Sequence, residues 1–170
     1  MGVLRLASPV PGTLRPLTAV PDPVFAQQMV GPGLAIDPDR TGRQDVLAPC
    51  DGVVGALHPH AFALETADGR AVLVHVGIDT VSLAGQGFEL HVERGQRVRA
   101  GDRVLTWSPV DVAAAGLSVM CPVVALQGDP HDLTQLAADG EHVSAGQLPQ
   151  PAAARDPDPA GPPAVEWTAG

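Results

Sequence analysis

The chain is 170 residues long, the size of one ordinary domain, and sets ten cationic against nineteen anionic side chains for a formal charge of −9. That balance argues against a basic nucleic-acid footprint. Every cation is an arginine, which excludes a Schiff-base lysine, a P-loop lysine and a lysine carrying lipoate or biotin.

Tyrosine is absent and there are only three Phe and two Trp, so the core must be built from Val, Leu, Ala and Ile. Gly and Pro, 19 and 18 residues, favour many turns. No apolar run approaches the ~20 residues of a membrane span. The first eleven residues lack the apolar centre of a signal peptide. The expectation is a cytoplasmic monomer without membrane insertion. Cys50 and Cys121 permit one disulfide but read more simply as two buried thiols in a reducing compartment.

In chain order, Asp22-Pro23 reads as the cap and first residue of a short helical turn reaching Gln28. Strands are expected over Gly52–Leu57, His60–Thr66 and Ala71–Val76. The last is almost wholly apolar, as a strand covered on both faces would be. Val98, Val104–Trp107 and Pro122–Leu126 continue the β pattern, with a second helical turn over Val110–Ala115. Residues 149–170 hold six prolines and little to bury, so 1–148 is expected as the domain and 149–170 as a disordered tail, with Trp167 exposed in it. Two echoes suggest a duplicated β unit. Ser8–Gly12 recurs as Ala48–Gly52, and Gly95–Gly101 recurs as Gly140–Gly146.

Six histidines stand at 58, 60, 75, 91, 131 and 142. Asp68-Gly69 between two β-prone runs is a hairpin signal. A two- or four-residue loop there sets Phe62 opposite His75 and His60 opposite Gly77, and puts both rings on one face. A three-residue bulged turn would put them on opposite faces. Two imidazoles over a glycine suit an anion or a metal. The plain alternative is that each is a satisfied polar residue near a sheet end.

Several blocks carry a resemblance. They are Val20–Ala26, Met29–Ile36, Ala48–Val53, His60-Ala61-Phe62, Val74–Val81, Gly85–Phe88, Gly95–Val98, Gly101-Asp102 and Pro122–Val124. In this order, over about residues 7 to 148, the chain resembles the glucose-type IIA components of the bacterial phosphotransferase system. The resemblance implies an all-β fold: a compact antiparallel β-sandwich or barrel with a duplicated hybrid motif and very little helix. It implies that His75 accepts a phosphoryl group from the phosphohistidine of HPr, as tele-phosphohistidine, and passes it to a cysteine on a IIB domain of a sugar permease. His60 matches the histidine that supports that group. Asp22, Val24, Phe25, Met29, Val30, Gly77 and Asp79 match the partner-binding surface, although Phe25 and Val30 also read as core and Asp22 as a helix cap.

The residue types suit this role. A relay needs a neutral imidazole nitrogen whose phosphorylated form stays reactive. The other ring N–H then needs an acceptor, and a backbone carbonyl near Gly77 is the candidate. No cofactor is required when the donor is already a phosphoprotein. The family also allows zinc to be shared with a partner at His60 and His75, and allows regulatory targets. His58-Pro59-His60 departs from the Thr-containing approach of better-known relatives, and His58 reads more readily as solvated than as a phosphate contact. Two other functions compete with the relay. One is a zinc hydrolase of the lysostaphin type, although no histidine precedes His58 to complete its ligands. The other is a purely regulatory binding module.

Overall fold

The computed structural model describes residues 2–135, 137–146 and 165–168. It is built from short antiparallel strands. β1 (Val3–Leu6), β2 (Gly12–Pro16), β3 (Gly33–Pro38), β4 (Gln44–Leu47), β5 (Gly52–His58), β6 (Ala61–Glu65) and β7 (Ala71–His75) come first. β8 (Glu89–Leu90), β9 (Arg97–Val98), β10 (Arg103–Trp107), β11 (Cys121–Ala125), β12 (Leu133–Gln135), β13 (His142–Val143) and β14 (Val165–Thr168) follow. Helix is confined to α1 (Pro23–Ala26), α2 (Pro109–Ala114) and three 3₁₀ turns among the described residues. Asp22 caps α1 and Ser108 caps α2, each by accepting a backbone N–H, and Pro begins both helices. The all-β expectation holds. No helix among the described residues is long and apolar enough to cross a membrane.

An eight-stranded sheet runs β13-β2-β3-β11-β7-β6-β5-β9, with smaller sheets β4-β10-β8 and β1-β14-β12 beside it. They enclose a core of Val, Leu and Ile around Trp107 and Phe62, both almost fully buried. β7 is covered on both sides, as its composition suggested. Val72 and Val74 enter the main core, while Leu73 packs on a second cluster with Phe25 and Ile78.

The two sequence echoes are one structural motif used twice. β9 pairs with the start of β5 (Gly52 with Val98, Val53 with Arg97), as β13 pairs with the start of β2 (Gly12 with Val143, Thr13 with His142). The flanking hydrogen bonds repeat as well. Gly101 N–H donates to Ala48 C=O at 2.9 Å, and Gly146 N–H to Ser8 C=O at 2.9 Å. Gly95 N–H donates to Val54 C=O as Gly140 N–H does to Leu14 C=O.

The hairpin register differs from the two- or four-residue reading. Ala61, not Phe62, pairs with His75, and Phe62 pairs with Val74. The cause is a three-residue loop. Thr66 and Arg70 close it through a 2.8 Å backbone bond, and Gly69 takes φ +87°.

The expected tail also differs where it is described. Residues 147–164 lie outside the described residues, but Val165–Thr168 form the central strand of the β1-β14-β12 sheet. Trp167, expected to be exposed, is buried. Alternation seats Val165 and Trp167 inward, and Arg70 fixes the strand. Its Nη1 donates to the Trp167 carbonyl at 2.8 Å, its Nη2 to the Gly2 carbonyl at 2.9 Å, and its guanidinium lies 5.5 Å from the Trp167 ring centroid.

Candidate functional site

The site forms where β7 ends. His75 is the last residue of that strand, and Gly77 follows at φ +74°. A side chain at 77 would meet Thr80 Cγ2 at 2.5 Å and the Ser118 carbonyl at 3.1 Å, so this bend requires glycine. The bend is held by Ile78 N–H on the Ser118 carbonyl and by the buried Thr80 hydroxyl on the Val76 carbonyl. It turns the Gly77 carbonyl back onto His75 Nδ1, at 2.5 Å. Nδ1 must carry the proton to make that bond, which leaves Nε2 as the free lone pair. The carbonyl acceptor anticipated near Gly77 is therefore Gly77 itself.

His60 arrives by a different route. In the observed register the pleat would send a strand residue at 60 to the face opposite His75. His60 is not in a strand. It occupies the turn between β5 and β6 with Pro59, while its carbonyl still accepts the Val76 N–H at 2.7 Å. The turn releases its side chain from the alternation. The two rings meet edge to face with centroids 5.1 Å apart. Phe25 also packs on His75, with ring centroids 5.3 Å apart.

Burial holds the His75 imidazole below the usual histidine range, against the opposing pull of the Gly77 carbonyl and of Asp22 and Asp79. Burial also lowers His60, helped by repulsion from His75 and His58. Both rings are therefore neutral near pH 7, the state a nucleophilic nitrogen needs.

The expected partner-binding residues separate. Val24 and Met29 are exposed apolar side chains, at 40 % and 68 %. Phe25 does not reach the surface: it is buried against His75, because α1 turns its ring into the second core cluster. Val30 is half-buried against the same cluster. Gly77 is buried and acts through its carbonyl. Asp22 is half-buried and caps α1, while Asp79 is exposed at φ +60° on the bend. Val81, exposed at 64 % in the turn just after that bend, was missed. An apolar residue beside Asp79-Thr80 was the available signal.

Cys50 and Cys121 are buried and unpaired, and burial pushes both thiols up to about 12. They are inert at neutral pH. Among the described residues no three His, Cys, Asp or Glu side chains are grouped to hold a metal, so a hydrolytic zinc centre finds no ligand set.

Residues 4–131 match the family described as phosphoenolpyruvate-dependent sugar phosphotransferase system, EIIA 1. The chain belongs to this family. It is 44 % identical over 124 residues to the glucose-specific EIIBCA component of Corynebacterium glutamicum, covering 72 % of this chain and 18 % of that protein. It is 37 % identical over 126 residues to the glucose-specific EIIA component of Bacillus cereus, covering 73 % of this chain and 74 % of that one. The solved glucose permease IIA from Mycoplasma capricolum superposes with a TM-score of 0.76 at 34 % identity, covering 87 % of this chain and 94 % of that one. The chain thus spans most of a free-standing EIIA protein and a small part of the multidomain Corynebacterium one.

Proposed function

We propose that the domain is a phosphoryl relay of a glucose-type sugar phosphotransferase system. His75 Nε2 attacks the phosphorus of the HPr phosphohistidine. The N–P bond to the donor ring breaks, and the donor nitrogen keeps the electron pair. In the second step the new N–P bond breaks toward a cysteine thiolate of a IIB domain, which carries the group toward the sugar. The observation that carries this reading is the short bond from His75 Nδ1 to the Gly77 carbonyl, which fixes the tautomer with Nε2 free.

Transfer of this kind asks for positioning and charge stabilisation. Phe25 and the Gly77 bend hold the ring in place. His60 stands close enough to support the phosphoryl oxygens. No lysine is available for that task. Val24 lies on α1, whose Phe25 touches His75, Met29 follows just after that helix, and Val81 follows the bend. These exposed apolar residues are the docking face for HPr and IIB, with Asp22 and Asp79 beside them for a partner arginine. Relatives of this chain are named for glucose and for mannose, and the choice of sugar belongs to the membrane component. A relay fed from phosphoenolpyruvate works at the cytoplasmic side.

Incubation with phosphoenolpyruvate, enzyme I and HPr, followed by mass mapping, tests the assignment. The wild-type chain should gain one acid-labile phosphoryl group on His75. His75→Ala should gain none, and His60→Gln should accept the group but pass it on slowly. Label on another residue, with His75→Ala still phosphorylated, would overturn the proposal.

A further inference from the structure

The strand register brings a third imidazole to the site. His58 of β5 pairs with Ala61 of β6, and Ala61 pairs with His75 of β7. Directly paired residues on adjacent strands point to the same face of a sheet. His58 and His75 therefore stand on one face, two strands or about 9.5 Å apart. Ala61 between them offers only a methyl group. His60 bridges the gap from its turn. Its ring centroid is 5.7 Å from that of His58, with the planes 29° apart, and 5.1 Å from that of His75. His58 is exposed, and neither it nor His60 makes a side-chain hydrogen bond to a described residue. Two stacked rings with unused nitrogens thus sit beside the nucleophile.

We propose that His58 is a third anion-binding residue of the relay, whose ring N–H donates to a peripheral oxygen of the phosphoryl group as it reaches or leaves His75. This rests on the relay function proposed above. During transfer only the bonds between phosphorus and nitrogen or sulfur change, while the three peripheral oxygens keep their negative charge and need donors throughout. The stack brings the rings of His58 and His60 within 5.7 Å of each other, so one anion beside His75 lies within reach of both. The outer position of His58 suits the moment of hand-off, when the group lies between this chain and its partner.

Two substitutions separate a phosphoryl contact from a merely structural ring. His58→Phe keeps a flat ring to stack on His60 and removes both nitrogens. His58→Gln keeps a donor and removes the ring. Initial rates are measured from phospho-HPr to the full chain, and from the phosphorylated chain to IIB, with the ³¹P shift of the phosphohistidine as a second readout. The loss of one charge-assisted hydrogen bond predicts a rate about tenfold lower in His58→Phe. His58→Gln should recover most of that rate, and the ³¹P shift should move in the Phe variant alone. Because residue 58 is exposed, both variants should unfold at the wild-type denaturant midpoint. His58→Phe working at the wild-type rate would overturn the inference. So would a His58→Gln no faster than His58→Phe. A wild-type chain that takes no phosphate fails the relay assignment itself. One that is phosphorylated normally, with His58→Phe unaffected, fails only the inference about His58.

Discussion

One carbonyl decides the chemistry of His75. Gly77 reaches Nδ1 only because its backbone adopts φ +74° in a space with no room for a Cβ. Gly77→Ala should therefore destabilise the fold by about 1–3 kcal/mol through backbone strain and release the tautomer as well. Urea unfolding checks the first effect, and the rate of His75 phosphorylation should fall further than the stability loss explains. The pH dependence follows from the same environment. Folding lowers the affinity of both His60 and His75 for a proton relative to the ordinary value of 6.5. The unfolded chain then binds more protons, so these groups leave stability intact above about pH 6.5 and remove it as pH falls toward their folded values. The denaturant midpoint should drop between pH 7.5 and 5, with a shallower slope in His60→Gln; a flat profile in the wild type would contradict the half-buried neutral pair. At this scale the sequence was informative about types and spacing. The histidine pair and the carbonyl acceptor were legible. The route by which His60 arrives was not, because it depends on a turn and not on strand alternation.

Short elements with remote partners are where composition misleads. The segment from 149 onward reads as proline- and alanine-rich with little to bury, yet Val165 and Trp167 alternate inward at its end. Their seat is made by β1, whose Arg5 pairs with Glu166 at 2.9 Å from the opposite end of the chain, and by Arg70 on the hairpin loop. A local window contains neither. Trp167→Ala should cost about 3–5 kcal/mol, as loss of a large buried aromatic does, and should lower the thermal midpoint. A chain cut after residue 148 should be similarly weakened, because it loses the central strand of the β1-β14-β12 sheet. The hairpin shows the same limit on a smaller scale. Asp68-Gly69 marks a turn, but only the closing Thr66–Arg70 bond shows that its loop has three residues, and that single step moves every partner on β7.

The whole molecule presents the neutral pair His60 and His75 near exposed Val24, Met29 and Val81 on a chain of charge −9. Replacing Met29 and Val81 together by Asp should raise the donor concentration needed for half-maximal phosphorylation while leaving the unfolding midpoint unchanged, since neither side chain enters the core. Added salt should slow association with a basic partner surface, because steering by net charge is screened over about a Debye length. By itself the sequence determined the β architecture, the duplicated unit, the absence of lysine chemistry and the presence of a histidine pair fifteen residues apart on neighbouring β segments. These are properties of residue type and spacing, which local physics reads directly. Only the tertiary structure decided the hairpin register, the burial of Phe25 and Trp167, and the placing of His58 in line with His75. Each of these is set by contacts between segments far apart in the chain or by the closing geometry of a turn, which no residue encodes alone.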